Sequence, residues 1–545
     1  MRFREAQAGF DGVEIGKFTH GIRYRPHAFG SLNGPYWQDW RDNCRAWYYD
    51  VDNSYKTQIA TSLGDSLLAM TMWGELLKVA GVCKGFEGRL ESLIMALRPL
   101  RQIFAPAPHV ARLPEAEVRR QYPRYRWQIM ESTFLGYAAF YLVRNNLSIV
   151  AKDMQGALHY QHSDIGSLLA ITAISYGLGK FAMGAISDRS NPRTFMAFGL
   201  LLTAILNFAF GSVASFPIHL ALWSINGFVQ GMGWPPCGRS MGHWFSERER
   251  GLTFSIWNTA HNLGGGIAGY VAAWSAHYWG GWQYAFYVPG CMAAIGAVYL
   301  LVRLRDTPQS VGLPPIEEYN NDYPANHGGQ IEAERELGTR ELLFDYVLTN
   351  KYIWLLAFAN FFAYITRYSM LDWGPMYLRE MKGATLTGGG LAVMAIEFGG
   401  IPSTILLGWF SDLAGGRRGM VAVLCLAPIL LAFTAILFVP AGYLWLDMTM
   451  LALVGLFIYP VINFIVIIAL DLTGKKAIGT AAGFIGLFGY LGRTAQAKCF
   501  GWMLDYFGAL WGKETAWGLV IAAILACTLA AIVLLAFTWR LKPKA

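Results

Sequence analysis

Two arginines stand where arginine is costly. Arg144 closes the run Tyr141-Leu142-Val143-Arg144 inside the apolar stretch 134–150, and Arg367 closes Tyr364-Ile365-Thr366-Arg367 inside 355–371. A charge at the centre of a membrane-crossing helix costs about 2.5–3.5 kcal/mol on insertion scales, so such a residue is expected to face a polar pathway and to have a function there. A guanidinium offers a planar fork of donors that meets phosphate through two parallel, charge-assisted hydrogen bonds. Tyr137, Tyr141 and Arg144 are spaced i, i+4, i+7, and Tyr364 and Arg367 are spaced i, i+3, so each set shares one helix face. On two further apolar stretches Tyr176 and Lys180 are spaced i, i+4, and Asn258 and His261 i, i+3. Gathered at one cavity, these groups suit a dianion with several oxygens, and phosphate fits best. Each also has a bland reading. A lone arginine can serve an ion pair, a helical histidine can bond a neighbouring carbonyl, tyrosines favour membrane interfaces, and Lys180 can snorkel toward water.

The elements that must position them come in two sets. The arginine pattern repeats at an offset of 223 residues, and Gly184-Ala185-Ile186-Ser187-Asp188 repeats as Gly408-Trp409-Phe410-Ser411-Asp412 at an offset of 224. Two unrelated patterns at nearly one offset indicate a duplicated half. Hydrophobic residues make up 54% of the chain and charged ones 15%, well below the roughly 25% charged of soluble domains. The apolar residues fall in blocks of about 20, the length of helix that crosses a bilayer. The fold class expected is all-α integral membrane, with twelve transmembrane helices in two pseudo-symmetric six-helix halves, 123–303 and 351–545, joined by a linker over 304–350. Expected spans include 129–150, 216–241 and 252–278. Residues 1–122 form an N-terminal extension with many charges and no signal-peptide pattern. A membrane-surface appendage and a poorly ordered tail both remain open for it.

Basic residues fall on alternate connections: Arg189 and Arg193, Arg303 and Arg305, Arg417 and Arg418, Lys475 and Lys476, Arg540 and Lys542. The positive-inside rule then places both termini and the linker in the cytoplasm. This topology accounts for the net charge of +8 better than nucleic acid does, since no basic run with interleaved aromatics is present. The seven cysteines are scattered without a C-x-x-C pair, which argues against a disulfide framework or a zinc site. Without a nucleotide-binding motif, metal-spaced carboxylates or a nucleophile elbow, no cofactor, metal or catalytic residue is expected. Asp188 with Arg189 and Arg193, and Asp412 with Arg417 and Arg418, are expected on short cytoplasmic loops. There an acid–base ring can tie helix ends in one conformation and release them in another.

The stretch from Gly184 to Arg193 resembles the signature of the major facilitator superfamily. More narrowly, 136–144, 230–239, 257–262, 306–323 and 481–492 are similar to the organophosphate:phosphate antiporter family, from about Tyr122 to the C-terminus. The resemblance implies a monomeric carrier in the bacterial inner membrane that exchanges glycerol-3-phosphate for inorganic phosphate by alternating access. A sibling for phosphoglycerate or hexose phosphate, or a transporter-like sugar-phosphate sensor, remains the alternative. It implies Arg144 and Arg367 as the phosphate-binding pair and His261 as a further contact. Lys180, Tyr137, Tyr141, Tyr176, Asn258, Tyr364, Tyr459 and Tyr490 would line the pathway, and Asp372 and Glu397 would form a charge network. In the family a lysine follows the first arginine and pairs with those acids; here Asn145 stands there. Arg493 departs as well, and meets either a second anionic group of the substrate or a neighbouring acid.

Overall fold

The computed structural model describes residues 103–322, 348–413, 417–473 and 478–540. Residues 1–102 of the expected extension, 323–347 of the linker, and Lys475 and Lys476 lie outside them.

Every regular element among the described residues is helical. The first half carries α1 (Glu115–Leu142), α2 (Asn146–Leu158), α3 (His162–Ser187), α4 (Pro192–Gly211), α5 (Phe216–Gln230), α6 (Trp234–Trp244), α7 (Glu247–Asn258), α8 (Ala260–Trp279) and α9 (Tyr284–Arg303). A short α10 (Ile316–Asn320) follows in the linker. The second half carries α11 (Lys351–Met381), α12 (Leu386–Leu413), α13 (Arg418–Phe438), α14 (Leu444–Thr473), α15 (Ile478–Trp511) and α16 (Lys513–Ala536). Starts and stops follow local chemistry. Helix α3 opens on a Gln161/Asp164 capping box, and α4 on Pro192 with the Asn191 side chain accepting from Arg193 N at 3.0 Å. Helix α8 ends where Gly280 turns left-handed at φ 71°. Among the described residues six helices are long and apolar enough to cross a membrane: α3, α4, α9, α13, α14 and α16.

Three stretches expected as single spans are broken. The stretch 129–150 is α1 and α2, parted at Val143–Asn145; 216–241 is α5 and α6, parted at Gly231–Gly233; 252–278 is α7 and α8, parted at Thr259. The first break is sustained by amides from other helices. The carbonyl of Val143 accepts from Asn207 Nδ2 at 3.3 Å, Asn226 Nδ2 at 3.4 Å and Gln230 Nε2 at 3.4 Å. Asn146 Nδ2 donates to Asn207 Oδ1 at 2.7 Å and to Ala285 O at 3.1 Å. Irregular backbone at membrane depth is tolerated where the surrounding protein satisfies it in this way.

The halves meet along α3 against α15 and α8 against α12. A Cβ on Gly166 would lie 2.4 Å from Ala497 O, and one on Gly390 would lie 2.5 Å from Gly269 O, so these contacts require glycine. Polar contacts between described residues of the two halves include one at mid-depth and a group at the end where α2 turns into α3. At that end Arg379 pairs with Asp153 at 2.8 Å and Lys152 Nζ donates to Arg379 O at 3.0 Å. Asp505 accepts from His162 N at 3.0 Å and Ser163 N at 2.7 Å, and Lys498 Nζ donates to Ser167 Oγ at 2.6 Å. This end is clamped shut.

At the opposite end, which carries the arginine-bearing loops, the start of the linker is bound to the first half. Trp244 Nε1 donates to Asp306 O at 2.8 Å, and Arg239 pairs with Asp306 at 3.1 Å. Tyr122 stacks on Tyr319 at 4.0 Å and donates its hydroxyl to Pro314 O at 3.0 Å; burial pushes that phenol well above its usual range, so it stays a donor. Helix α1 thus begins at Glu115, and 103–122, read above as extension, pack with the linker on the helical body.

Candidate functional site

Arg144 sits in the break between α1 and α2, buried at 8% exposure. Its Nε and Nη2 both donate to Gln230 Oε1, at 3.1 and 3.0 Å, and its guanidinium lies 4.4 Å from the Tyr141 ring and 4.3 Å from the Tyr176 ring. Arg367 is in the middle of the unbroken α11, equally buried at 9%. Its guanidinium lies 4.4 Å from the Tyr459 ring and 4.9 Å from the Tyr368 ring. Such rings hold a cation without neutralising it, for about 0.5–2 kcal/mol each.

Two chains of ring contacts join the arginines. One runs from Arg144 through Tyr176, Tyr490 at 5.2 Å, Tyr364 at a further 5.6 Å and Tyr368 at 5.5 Å to Arg367. The other runs through Tyr141, His261 at 6.0 Å and Tyr459 at 5.5 Å. Tyr137 supports the second chain from behind, 5.5 Å from Tyr141 and stacked on Trp257 at 5.1 Å. The tyrosines and histidine picked out by spacing therefore converge on one place, from helices of both halves.

Asn258 takes part through its backbone: its carbonyl accepts from His261 Nδ1. A carbonyl only accepts, so the Nδ1 proton is fixed and Nε2 is the nitrogen left to change state. Lys180 is half-buried, with its ammonium 4.9 Å from the Trp234 ring, one helical turn from Tyr176 toward the arginine-loop end. Glu397 is buried and accepts from Tyr459 Oη and, across the halves, from Asn262 Nδ2 at 3.0 Å.

Asp372 has a different partner from the one its resemblance implied. The lysine expected beside the first arginine is Asn145 in this chain, and Asp372 is taken by Arg493 on α15. Arg493 donates from Nε at 3.1 Å and Nη2 at 2.8 Å, and Gln496 Nε2 adds a third bond at 2.8 Å. The question left open for Arg493 is answered in favour of the neighbouring acid. Of the loop residues, Asp188 is exposed and Arg193 Nε donates to Leu301 O within its own half, at 2.5 Å. Arg239 holds that loop by donating to Ser190 O while pairing with Asp306. The Asp412 side chain lies outside what is described.

Sequence reasoning gave no role to Gln230, Tyr368, Gln496 or Asn262. Gln230 and Asn262 fall inside stretches that carried the family resemblance, and Tyr368 adjoins Arg367. Gln496 had no signal.

The charge balance is the chemical point. Among the described residues neither Arg144 nor Arg367 has a carboxylate within ion-pair distance, and the buried Arg367 Nε has no hydrogen-bond partner. An unmade bond on a buried donor costs about 1–3 kcal/mol, more for a charged group, and an entering anion recovers it. Two cations, aromatic walls and hydroxyls suit a multi-oxygen dianion. No cluster of His, Cys, Asp or Glu among the described residues is arranged to hold a metal ion.

The sequence profile of the Major Facilitator Superfamily matches residues 133–497. The chain is 43% identical over 449 residues to the "Glycerol-3-phosphate transporter" of Bacillus subtilis (strain 168), covering 81% of this chain and 99% of that one. It is 38% identical over 449 residues to the "Probable hexose phosphate transport protein" of Chlamydia trachomatis serovar D, covering 81% and 96%. Among solved structures it is similar to a bacterial homolog of the human lysosomal transporter Spinster in an inward-facing, unoccupied conformation. That match has a TM-score of 0.62 at 15% identity, covers 76% of this chain and 96% of the other, and bears on the fold alone.

Proposed function

From the premise that this chain belongs to the major facilitator superfamily, with organophosphate transporters among its relatives, we propose that it exchanges glycerol-3-phosphate for inorganic phosphate across the bacterial inner membrane. Twelve spans in two halves rock about one central site, with both termini and the linker in the cytoplasm. In that orientation the clamped end faces the cell exterior and the arginine-loop end faces the cytoplasm.

The observation that carries the proposal is the buried Arg367 guanidinium with its Nε unbonded, in a site that also holds Arg144, with no carboxylate within ion-pair distance of either arginine among the described residues. In the empty carrier the two cations repel and disfavour closure of the halves from the cytoplasmic side. A bound phosphate dianion takes donors from both and draws the halves together, so the loaded carrier crosses and the empty one does not. Coupling by charge compensation gives obligatory exchange without an energy-yielding cofactor. His261 sits between Tyr141 and Tyr459 and contributes Nε2 to the same anion.

The test is exchange in proteoliposomes preloaded with labelled phosphate. External glycerol-3-phosphate should release the label faster than glucose-6-phosphate or 3-phosphoglycerate. A preference for glucose-6-phosphate would move the chain to the hexose phosphate reading that its chlamydial relative suggests, and ligand binding with no flux would make it a sensor.

A further inference from the structure

The site holds a third guanidinium. Arg493 lies on α15, with its Cζ 4.0 Å from the ring of Tyr368, the same ring that lies 4.9 Å from Arg367. One tyrosine therefore adjoins both cations, and Arg493 belongs to the wall of the anion site. Arg493 differs from the other two in one respect. Asp372, a little over one turn beyond Arg367 on α11, accepts from two nitrogens of its fork, and Gln496 fixes the same carboxylate from Arg493's own helix. Arg493 is 6% exposed and Asp372 4%. The pair is buried and net neutral, with Nε and one Nη2 hydrogen of Arg493 spent on Asp372, so Arg493 brings a ligand no uncompensated charge.

We propose that Asp372 sets the substrate class by holding Arg493 neutral, so that the site accepts organophosphates whose remainder is uncharged and rejects those bearing a second anionic group. The inference rests on the proposed exchange function and adds to it a chemical limit. A phosphate dianion balances the two unpaired arginines. A carboxylate on the same molecule finds beside Tyr368 a neutral Arg493–Asp372 pair instead of a further uncompensated cation, and so conflicts with the charge balance. Polyol and sugar phosphates avoid that conflict. Were Asp372 uncharged, Arg493 would become a third free cation one ring away from Arg367, suited to a phosphocarboxylate. Selectivity of this kind is a difference between two affinities, and an opposing charge is its usual source. Arg493 thus supplies a latent second anion site, and Asp372 keeps it occupied.

The experiment is a ratio. Proteoliposomes of the full chain, preloaded with labelled phosphate, are challenged with glycerol-3-phosphate and with 3-phosphoglycerate at equal concentration. The unaltered protein should favour glycerol-3-phosphate strongly. Asp372→Asn should raise the 3-phosphoglycerate to glycerol-3-phosphate ratio at least tenfold, whatever its absolute rate, and Asp372→Asn with Arg493→Gln should return the ratio to its original value. If Asp372→Asn is too slow to assay by flux, the same ratio is read from the shift in melting temperature that each ligand gives the purified protein. An unchanged ratio in Asp372→Asn, or a raised ratio that persists in the double variant, overturns the inference alone. Failure of the unaltered protein to exchange any organophosphate for phosphate overturns the function on which it rests.

Discussion

Arg144 and Arg367 occupy equivalent places in two repeated halves, yet the two halves hold them differently. Arg144 stands at a helix break, with two of its nitrogens on Gln230 and its neighbouring carbonyl bonded by three side-chain amides. Arg367 stands on an unbroken helix, bordered by aromatic rings and with Nε bonded to nothing. The difference teaches that duplication conserved the charge and not its support. The first half presents a guanidinium already aimed by a rigid polar cluster, at no further entropic cost on binding. The second presents one whose Nε is left unbonded, open to a ligand oxygen. Under the proposed exchange this asymmetry would divide the work: one arginine would dock the anion, and the other would report that it has arrived.

The largest expected effect falls on the unsupported side. Arg367→Gln should reduce phosphate exchange to background in proteoliposomes, a loss of at least about a thousandfold, because it removes both a charge and a bidentate donor from a water-poor site. Arg144→Lys should also fail, since an ammonium cannot bond Gln230 and present a fork to phosphate at once. Residual exchange in that variant well above that of Arg367→Gln would sharpen the contrast, and wild-type exchange in either would break it. Gln230→Leu should act through aim rather than charge, raising the apparent KM for phosphate about tenfold with little change in maximal rate. On the other side Tyr368→Phe keeps the ring that borders Arg367 and should change KM less than about twofold. If the two substitutions have equal effects, the halves are not supported differently.

The clamp at the closed end gives a smaller effect. Removing Asp153 and Arg379 singly and together should reveal a coupling of about 0.5–3 kcal/mol in the equilibrium between closed and open exterior ends. Cysteine labelling from outside reads that equilibrium. Purely additive effects would mean that the pair does not hold the halves together.

Much of this site was legible in the sequence because its signals were local. Charged residues in apolar stretches, and tyrosines three or four residues from them, depend only on helical periodicity. The repeat offset then supplied the partner half. What stayed hidden depended on which helices meet and at what rotation. The break at Val143–Asn145 is sustained by Asn207, Asn226 and Gln230, distant in sequence and unremarkable in composition. Arg493 was visible as an anomaly, but its acid lies 121 positions away on another helix. Nothing in the spacing distinguishes a free cation from a paired one. The same holds at the arginine-loop end. Arg193 bonds a carbonyl of its own half, and Arg239, which was assigned no gating role, ties the loop to the linker through Asp306.

The most direct test of the account is the reactivity of the two arginines toward an arginine-specific dicarbonyl reagent, followed residue by residue by mass spectrometry, with and without inorganic phosphate. The account predicts that Arg367 is modified faster than Arg144, whose fork is tied to Gln230, and that phosphate protects both. Equal modification rates would contradict the asymmetry, and an Arg367 that phosphate leaves unprotected would contradict the site itself.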